Sequence, residues 1–175
     1  MSQMSRRRFL GSVISAAALT RTLRADVRRP RTLHFDHTHT GERLTIDYFH
    51  EGTYHPDALQ TVNRFLRDFR TNDVHPIDPV LLDLLHGLAA ATGTGRPFQV
   101  ISGYRSPRTN ALLRQQSEAV AAGSLHMKGQ AIDIRLADIP LPRLRATALA
   151  LQRGGVGFYP ASDFVHVDVG RVRAW

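Results

Sequence analysis

Two short runs in the second half of the chain each set one polar residue between β-branched apolar residues. Asp133 is the middle residue of Ile132–Ile134, and His166 is the middle residue of Val165–Val167. Successive side chains of a strand point to opposite faces of a sheet, so each polar group should project away from its apolar neighbours. Two adjacent antiparallel strands would then aim the Asp133 carboxylate and the His166 imidazole at one point.

The rest of the chain shows helical periodicity in its first part and strand-like runs toward its end. The runs Thr32–Phe35 and Arg43–Phe49 flank a polar turn and predict an N-terminal β-hairpin. We expect an α+β fold with a small antiparallel sheet flanked by helices. The further predicted strands are Phe98–Ile101, Ala131–Leu136, Val156–Tyr159 and Phe164–Val169, and the predicted helices run from Pro56 to Phe69, from Pro79 to a stop at Gly93, from Pro107 to Leu113 and from Pro142 to Leu151.

The N-terminal segment is typical of a twin-arginine export signal. The paired arginines in Ser5–Leu10, the apolar run Gly11–Leu19 and the small residue Ala25 follow in the required order. The apolar run is too short to span a bilayer, which takes roughly 20 residues, and the chain has no cysteine for a lipid. We expect the twin-arginine translocase to export the protein, with residues 1–25 as signal peptide. A single domain, residues 26–175, would then act in the periplasm without a stable membrane anchor.

Net charge gives little support for nucleic-acid binding. The formal charge is +8, but five arginines and no acid lie in residues 1–25. The remainder carries 18 basic against 15 acidic side chains, a balance too even to predict a nucleic-acid partner. Because the chain has no cysteine, no thiolate can act as nucleophile or metal ligand. Histidine is therefore the main candidate for metal binding and acid–base chemistry.

Three polar stretches lie beside predicted strands: Ser102–Pro107, Ser124–Asp133 and Asp163–Asp168. Within them, His126, Asp133 and His166 could supply two imidazoles and a carboxylate, and a catalytic zinc site takes three protein ligands. Spacing alone also permits a hydrogen-bonded structural histidine and an aspartate that protects an edge strand. A weaker candidate for a second metal site is the hairpin cluster of His34, His37 and His39.

Other polar groups in the same stretches suit peptide hydrolysis. Asp163 precedes His166 by three residues and could take a proton from a metal-bound water and pass it to the leaving amine. Arg105 is a permanent cation that could stabilise the oxyanion of an attacked carbonyl. Asp168 is predicted to face the same side as His166, where it could orient the imidazole ring.

The motifs as a set resemble a known family. Ser-x-His-x-x-Gly-x-Ala-x-Asp spans Ser124–Asp133, Asp-x-x-His spans Asp163–His166, and Ser-Gly-Tyr-Arg-Ser spans Ser102–Ser106. This set resembles the zinc D-Ala-D-Ala carboxypeptidase and dipeptidase family, which shares its fold with the zinc domain of hedgehog proteins. One branch, the YcbK-like murein endopeptidases, is similar in further features: the twin-arginine signal, the turn Thr38–Glu42, and the runs His75–Pro79 and Arg153–Gly157.

The resemblance implies a function and a role for each motif residue. It implies one zinc ion per chain and hydrolysis of cross-links between peptidoglycan stem peptides by a murein endopeptidase. Two alternatives remain: a D-Ala-D-Ala carboxypeptidase or dipeptidase, and a non-catalytic zinc-containing domain that binds peptidoglycan. The implied roles are zinc ligand for His126, Asp133 and His166, general base for Asp163, oxyanion partner for Arg105, and substrate contact for Ser124 and Tyr104.

The number of cations in the motifs bears on which bond is cut. An exopeptidase needs a fixed cation for the terminal carboxylate of its substrate. Arg105 is already assigned to the oxyanion, and the other basic residue inside the motifs is Lys128, in a predicted turn. This favours cleavage of a mid-chain bond, although Arg108 or Arg114 could fold over the cleft and supply a carboxylate clamp.

Overall fold

The structure is a computed structural model that describes residues 30–116 and 120–175, and the predicted export signal in residues 1–25 lies outside them. The described residues form eight strands and four helices. The strands are β1 (Arg31–His37), β2 (Arg43–His50), β3 (Thr53–Tyr54), β4 (Phe98–Ser102), β5 (Ala131–Arg135), β6 (Gly155–Tyr159), β7 (Phe164–Asp168) and β8 (Arg173–Ala174). The helices are α1 (Pro56–Phe65), α2 (Pro79–Thr92), α3 (Pro107–Gln116) and α4 (Leu141–Leu151), and short 3-10 turns cover Leu125–Lys128 and Pro160–Ser162.

The strands form one sheet in the order β3-β2-β1-β4-β5-β7-β6-β8. The predicted α+β fold and the N-terminal hairpin of β1 and β2 are confirmed. The expectation of a small antiparallel sheet needs correction, because β1 runs parallel to β4 and β6 runs parallel to β8. Parallel pairing of β1 and β4 is possible because the long connection through α1 and α2 returns the chain to the same end of the sheet.

Local signals set the ends of α2 as predicted, whereas α1 is shorter than predicted. Asp78 caps α2 by accepting a hydrogen bond from the backbone N–H of Val80 at 3.0 Å, and Gly93 ends it with a left-handed φ of 71°. Helix α1 ends at Phe65. The next carbonyl, that of Leu66, accepts a hydrogen bond from the N–H of Tyr104 at 2.8 Å, so the chain leaves the helix there.

The sheet separates an apolar face from a polar one. Ile132, Ile134, Val165 and Val167 are buried in the hydrophobic core, so Asp133 and its neighbours in register project from the opposite face, as predicted. The loop after β4 and the 3-10 turn before β5 lie beside this polar face. Among the described residues, no helix has both the length and the apolar character needed to cross a membrane.

Candidate metal centre

Three side chains from separate elements meet on the polar face of the sheet. Asp133 of β5 lies directly opposite His166 of β7 in antiparallel register, and His126 extends from the 3-10 turn before β5. His166 Nδ1 lies 2.9 Å from Asp133 Oδ1 and 3.1 Å from His126 Nε2. The third pair, His126 Nε2 and Asp133 Oδ1, is 3.2 Å apart. All three residues are buried, so the structure brings together the three side chains that the sequence predicts as ligands.

Hydrogen bonds on the far side of each ring determine which nitrogen faces this cluster. The Nδ1 atom of His126 lies 2.7 Å from the carbonyl oxygen of Gly103, which can only accept, so Nδ1 carries the proton. The Nε2 atom of His166 donates to Asp168 Oδ2 at 3.0 Å. Each ring therefore presents its other nitrogen to the cluster, His126 through Nε2 and His166 through Nδ1.

The donor set and its spacing fit a zinc ion. Ligand atoms bound to zinc at about 2.0 Å with tetrahedral angles lie about 3.3 Å from one another. The observed separations of 2.9, 3.1 and 3.2 Å are close to that spacing. No other group of three histidine or acidic side chains in residues 30–116 and 120–175 brings ligand atoms this close together. The alternative metal site in the hairpin, at His34, His37 and His39, is therefore not formed.

The cluster is charged although it is buried. Burial acts to raise the pKa of Asp133, but the neighbouring His126 and His166 hold it well below its usual value. Burial lowers the pKa of His166, yet hydrogen bonds to Asp133 and Asp168 raise it overall to about 8. This raised pKa favours the protonated imidazole of His166 when no metal is bound. Because a metal needs the neutral imidazole, a cation that binds here displaces a proton.

Asp168 is fully buried behind His166. Besides the His166 ring, its carboxylate accepts hydrogen bonds from Arg173 Nη2 at 2.7 Å and from the backbone N–H groups of Gly155 and Gly170 at 3.0 and 2.8 Å. A carboxylate held from four directions cannot rotate, so it fixes the plane of the imidazole ring. The predicted role of Asp168 in orienting His166 agrees with this geometry.

A glycine allows the His126 turn to dock against the rest of the protein. Gly129 has a left-handed φ of 65°, and a Cβ atom there would lie 2.1 Å from the carbonyl oxygen of Pro76. The Gly129 carbonyl accepts from the N–H of Asp78 at 2.9 Å, and the Asp78 carboxylate accepts from Gln130 Nε2 at 3.1 Å. The run His75–Pro79 thus supports the turn that carries His126.

Known proteins with similar sequences are peptidoglycan endopeptidases. The family model described as Peptidoglycan L,D-endopeptidase MepK matches residues 25–175. The chain is 43% identical to the peptidoglycan L,D-endopeptidase MepK of Escherichia coli strain K12 over 169 residues, 95% of this chain and 93% of that protein. It is also 43% identical over 148 residues to the probable peptidoglycan L,D-endopeptidase MepK of Haemophilus influenzae, 84% of this chain and 80% of that one. The chain belongs to the MepK family. This membership confirms the predicted peptidase family and the prediction of a murein endopeptidase.

In this MepK-family chain, Arg105 lies beside the three candidate ligands. Its Nη2 atom is 3.6 Å from Asp133 Oδ2, and 12% of its side chain is exposed. Its backbone N–H donates to the His126 carbonyl at 3.2 Å. This hydrogen bond fixes the backbone from which the Arg105 side chain extends. Its Nε–H is buried and has no hydrogen-bond partner among the described residues. A cation fixed beside the three candidate ligands is suitably placed to bind an oxyanion through its outer N–H groups.

Asp163 lies at the rim of the site, outside the buried cluster. It adopts a left-handed φ of 55° in the turn before β7, and 63% of its side chain is exposed. Its Oδ2 accepts a hydrogen bond from Arg135 Nη1 at 2.5 Å. Arg135 follows Asp133 by two positions on β5 and faces the same side, so this ion pair begins about 7 Å along the strand from the ligand.

The two predicted substrate contacts lie in the segments that flank the cluster. Ser124 is buried, and its carbonyl accepts from the N–H of Met127 at 3.1 Å at the start of the His126 turn. The Tyr104 ring stacks on the His75 ring with centroids 4.7 Å apart, directly before Arg105. Both residues therefore border the site, with most of the Tyr104 ring covered by the protein.

Two aromatic residues at the site escape sequence reasoning. The Trp175 ring lies 5.2 Å from the His166 ring, and its Nε1–H donates to the Tyr159 hydroxyl at 2.7 Å. Trp175 lies beside His166 because β8 pairs with β6 in parallel. No local motif predicts this pairing. The sequence offers one hint that Trp175 has a special place, namely that it is the single tryptophan of the chain.

Proposed function

We propose that this chain is a zinc-dependent L,D-endopeptidase that cleaves peptide cross-links in peptidoglycan. The observation that carries the proposal is the set of three buried ligand atoms, 2.9, 3.1 and 3.2 Å apart, whose ring tautomers are set by outer hydrogen bonds. The class of bond is taken from the relatives, which are named L,D-endopeptidases. A binding module without activity has no need of the Arg105 cation held beside such a site.

In this proposal His126 Nε2, Asp133 Oδ1 and His166 Nδ1 would hold one zinc ion per chain, since a catalytic zinc site takes three protein ligands. Bound zinc in such a site polarises a carbonyl and lowers the pKa of water. Arg105 receives the oxyanion that forms on the attacked carbonyl, through the donors that Asp133 does not use. The Arg105 guanidinium is already fixed before the reaction, so it can stabilise the developing negative charge without reorganisation.

Asp163 is the general base of the proposed mechanism. It precedes the ligand His166 by three residues, and its exposed carboxylate can accept a proton at the rim and return it to the leaving amine. The ion pair with Arg135 holds this carboxylate in place before the substrate arrives. For the proton transfer to occur, Asp163 must turn away from Arg135 and toward the metal centre when the stem peptide binds.

We assign the substrate contacts to the segments on either side of the cluster. Ser124 precedes the turn that carries His126, and Tyr104 precedes Arg105. A stem peptide whose scissile carbonyl lies between the cluster and Arg105 would pass both residues. Their contribution is positioning of the peptide, so their loss should raise KM more than it lowers kcat.

The compartment follows from the substrate. An enzyme that acts on the cell wall works outside the cytoplasm, and the relatives are named for peptidoglycan. We further propose that the twin-arginine translocase exports the chain, that residues 1–25 are the signal peptide, and that residues 26–175 are one peptidase domain in the periplasm. The pattern of Ser5–Leu10 and Gly11–Leu19 supports this route.

Digestion of intact peptidoglycan sacculi tests the proposed activity. The purified zinc-loaded protein should convert cross-linked muropeptide dimers to monomers whose masses identify an L,D bond as the one cleaved. Asp133→Asn, which removes a ligand charge, serves as the inactive control. Loss of terminal D-Ala from monomers with dimers untouched would make the enzyme a carboxypeptidase. Binding to sacculi without any released product would make it a non-catalytic binding domain.

A further inference from the structure

Arg70 is held in a three-layer stack in the loop that follows α1. The His39 and Phe69 rings are parallel, with centroids 4.1 Å apart and planes inclined by 10°. The Arg70 guanidinium lies over the same Phe69 ring at 4.2 Å. Two groups this close cannot share one face of a ring, so His39 covers one face of Phe69 and Arg70 covers the other. Stacking on the aromatic ring restrains the long Arg70 side chain.

Hydrogen bonds within the hairpin turn, and between this turn and the loop after α1, stabilise the stack. The buried His37 accepts hydrogen bonds at Nδ1 from the backbone N–H groups of His39 and Thr40, at 3.2 and 3.4 Å. Glu42, at the end of the same turn, binds Arg67 through two hydrogen bonds of 2.8 and 3.1 Å. The turn is therefore tied to the loop that follows α1, and the hairpin histidines act as supports for that loop.

A buried carboxylate joins this loop to the segment that carries Arg105. Asp68 accepts a hydrogen bond from the N–H of Arg70 at 3.0 Å through one oxygen and from the N–H of Ser106 at 2.9 Å through the other. Arg70 and the Arg105–Ser106 segment thus share one anchor. The shared carboxylate places the Arg70 backbone beside the segment that carries Arg105.

The cations around the centre differ in what they already bind. Arg105 pairs with Asp133, Arg135 pairs with Asp163, and Arg173 pairs with Asp168. Arg70, by contrast, is exposed and has no ion-pair partner among the described residues. Arg70 is thus a restrained cation with free donors, and the Asp68 anchor joins its loop to the segment that carries Arg105. Sequence motifs gave no sign of it, because Arg70 lies outside all of them.

We propose that Arg70 binds a free carboxylate of the cross-linked stem peptide beside the cleaved bond and thereby selects anionic substrates. The inference rests on the proposed endopeptidase function and adds its specificity determinant. The planar guanidinium can bind a carboxylate through two parallel hydrogen bonds. Because Phe69 already restrains the side chain, little conformational freedom is lost on binding. Phe69 and His39 are positioning residues that act through Arg70.

The test compares two substrates and four variants of the full-length, zinc-loaded protein. One substrate is a synthetic cross-linked stem-peptide dimer, and the other carries carboxamides in place of the free carboxylates that flank the cleaved bond. The variants are Arg70→Gln, Arg70→Lys, Phe69→Leu and the control Arg43→Gln. Arg43 lies on β2, three strands from β5, and 85% of its side chain is exposed. Zinc content and melting temperature verify that each variant is folded.

The wild type should prefer the carboxylate dimer by about 10-fold or more in kcat/KM, the scale of a charged hydrogen bond. Arg70→Gln should abolish this preference, mainly through KM, while Arg70→Lys and Phe69→Leu retain part of it and Arg43→Gln retains all of it. A preference that survives in Arg70→Gln, or a wild type that cuts both dimers equally well, would overturn the inference. Cleavage of neither dimer by the wild type would overturn the proposed function, and the Arg70 inference with it.

Discussion

The Nε2–H of His166 donates to the buried carboxylate of Asp168 at 3.0 Å, and this contact leaves Nδ1 as the only nitrogen of the ring that can bind a metal. Asp168 is itself fixed by Arg173 and by two backbone N–H groups. The position of the candidate ligand His166 is therefore set by a residue outside the set of three candidate ligands.

Replacing Asp168 by Asn should weaken zinc binding without removing a ligand. The amide keeps the size of the side chain but loses the charge that orients the ring and raises its basicity, and such changes cost about 10- to 100-fold in metal affinity. Titration against a chromophoric chelator measures the affinity. Asp138→Asn is the matched control, because Asp138 is exposed, lies outside the cluster and accepts a hydrogen bond from the Thr94 hydroxyl. Equal zinc affinity in the Asp168 and Asp138 variants would show that Asp168 does not tune the site.

The sequence is sufficient to predict the parts of the site that depend on local pattern. Alternation around Asp133 and His166 correctly places both side chains on one face of paired strands. The predicted helix ends at Asp78 and Gly93 are correct for the same reason, because each end depends on the residues next to it. The three candidate ligands come from two such strands and one turn, so their meeting at one point could also be predicted.

Contacts between distant segments could not be predicted. Helix α1 ends before Phe69 because the Leu66 carbonyl bonds to Tyr104, a residue far along the chain. The parallel pairing of β6 and β8, which brings Trp175 to His166, likewise depends on tertiary contacts and on no local sequence pattern. The link between Arg70 and the Arg105–Ser106 segment could not be predicted either, because it runs through the buried Asp68, which lies far from Ser106 in sequence.

The proposed base predicts a separation between metal binding and catalysis. Asp163→Asn should keep the full zinc content, since the side chain is exposed and outside the cluster. It should lower kcat by roughly 100-fold, the usual scale for loss of a general base. Steady-state cleavage of a cross-linked dimer, together with zinc analysis, measures both. If the variant cleaves at the wild-type rate, the base is another group, and a histidine near the cluster would be tested next.

The buried His37 predicts a specific loss of stability in acid. Burial and the nearby His39 lower the pKa of His37 to about 4, whereas an unfolded histidine has a pKa near 6.5. The unfolded state therefore binds the proton first, so the stabilisation is complete above about pH 6.5 and is lost as the pH falls toward 4. Between pH 7.5 and 4.5 this group should remove on the order of 2 kcal/mol from the free energy of unfolding.

Urea unfolding of His37→Gln at the two pH values tests this prediction. The variant cannot take up the proton, so its stability should fall less between pH 7.5 and 4.5 than that of the wild type. The metal centre titrates in both proteins and cancels in the difference. His34→Gln, on the same strand but exposed, should behave like the wild type. An equal fall in His37→Gln and the wild type would rule out this contribution of His37.

The export route predicts a defined change in location. Replacing both Arg6 and Arg7 by Lys should leave the precursor in the cytoplasm, because the translocase recognises the arginine pair as an address. Replacing Arg21 and Arg24 by Lys changes the same number of arginines outside the pair and should leave export intact. Cell fractionation with immunoblotting measures both. Normal export of the Arg6 and Arg7 variant would indicate the general secretion route instead.

A zinc titration of the metal-stripped enzyme tests the central claim most directly. The chelator-treated protein should not cleave a cross-linked stem-peptide dimer, and its activity should rise linearly with added zinc and level off at one equivalent per chain. His126→Ala, which removes one of the three ligands, should regain no comparable activity at one equivalent. Full activity of the stripped protein, or a plateau at a different ratio of zinc to chain, would contradict a single catalytic zinc held by His126, Asp133 and His166.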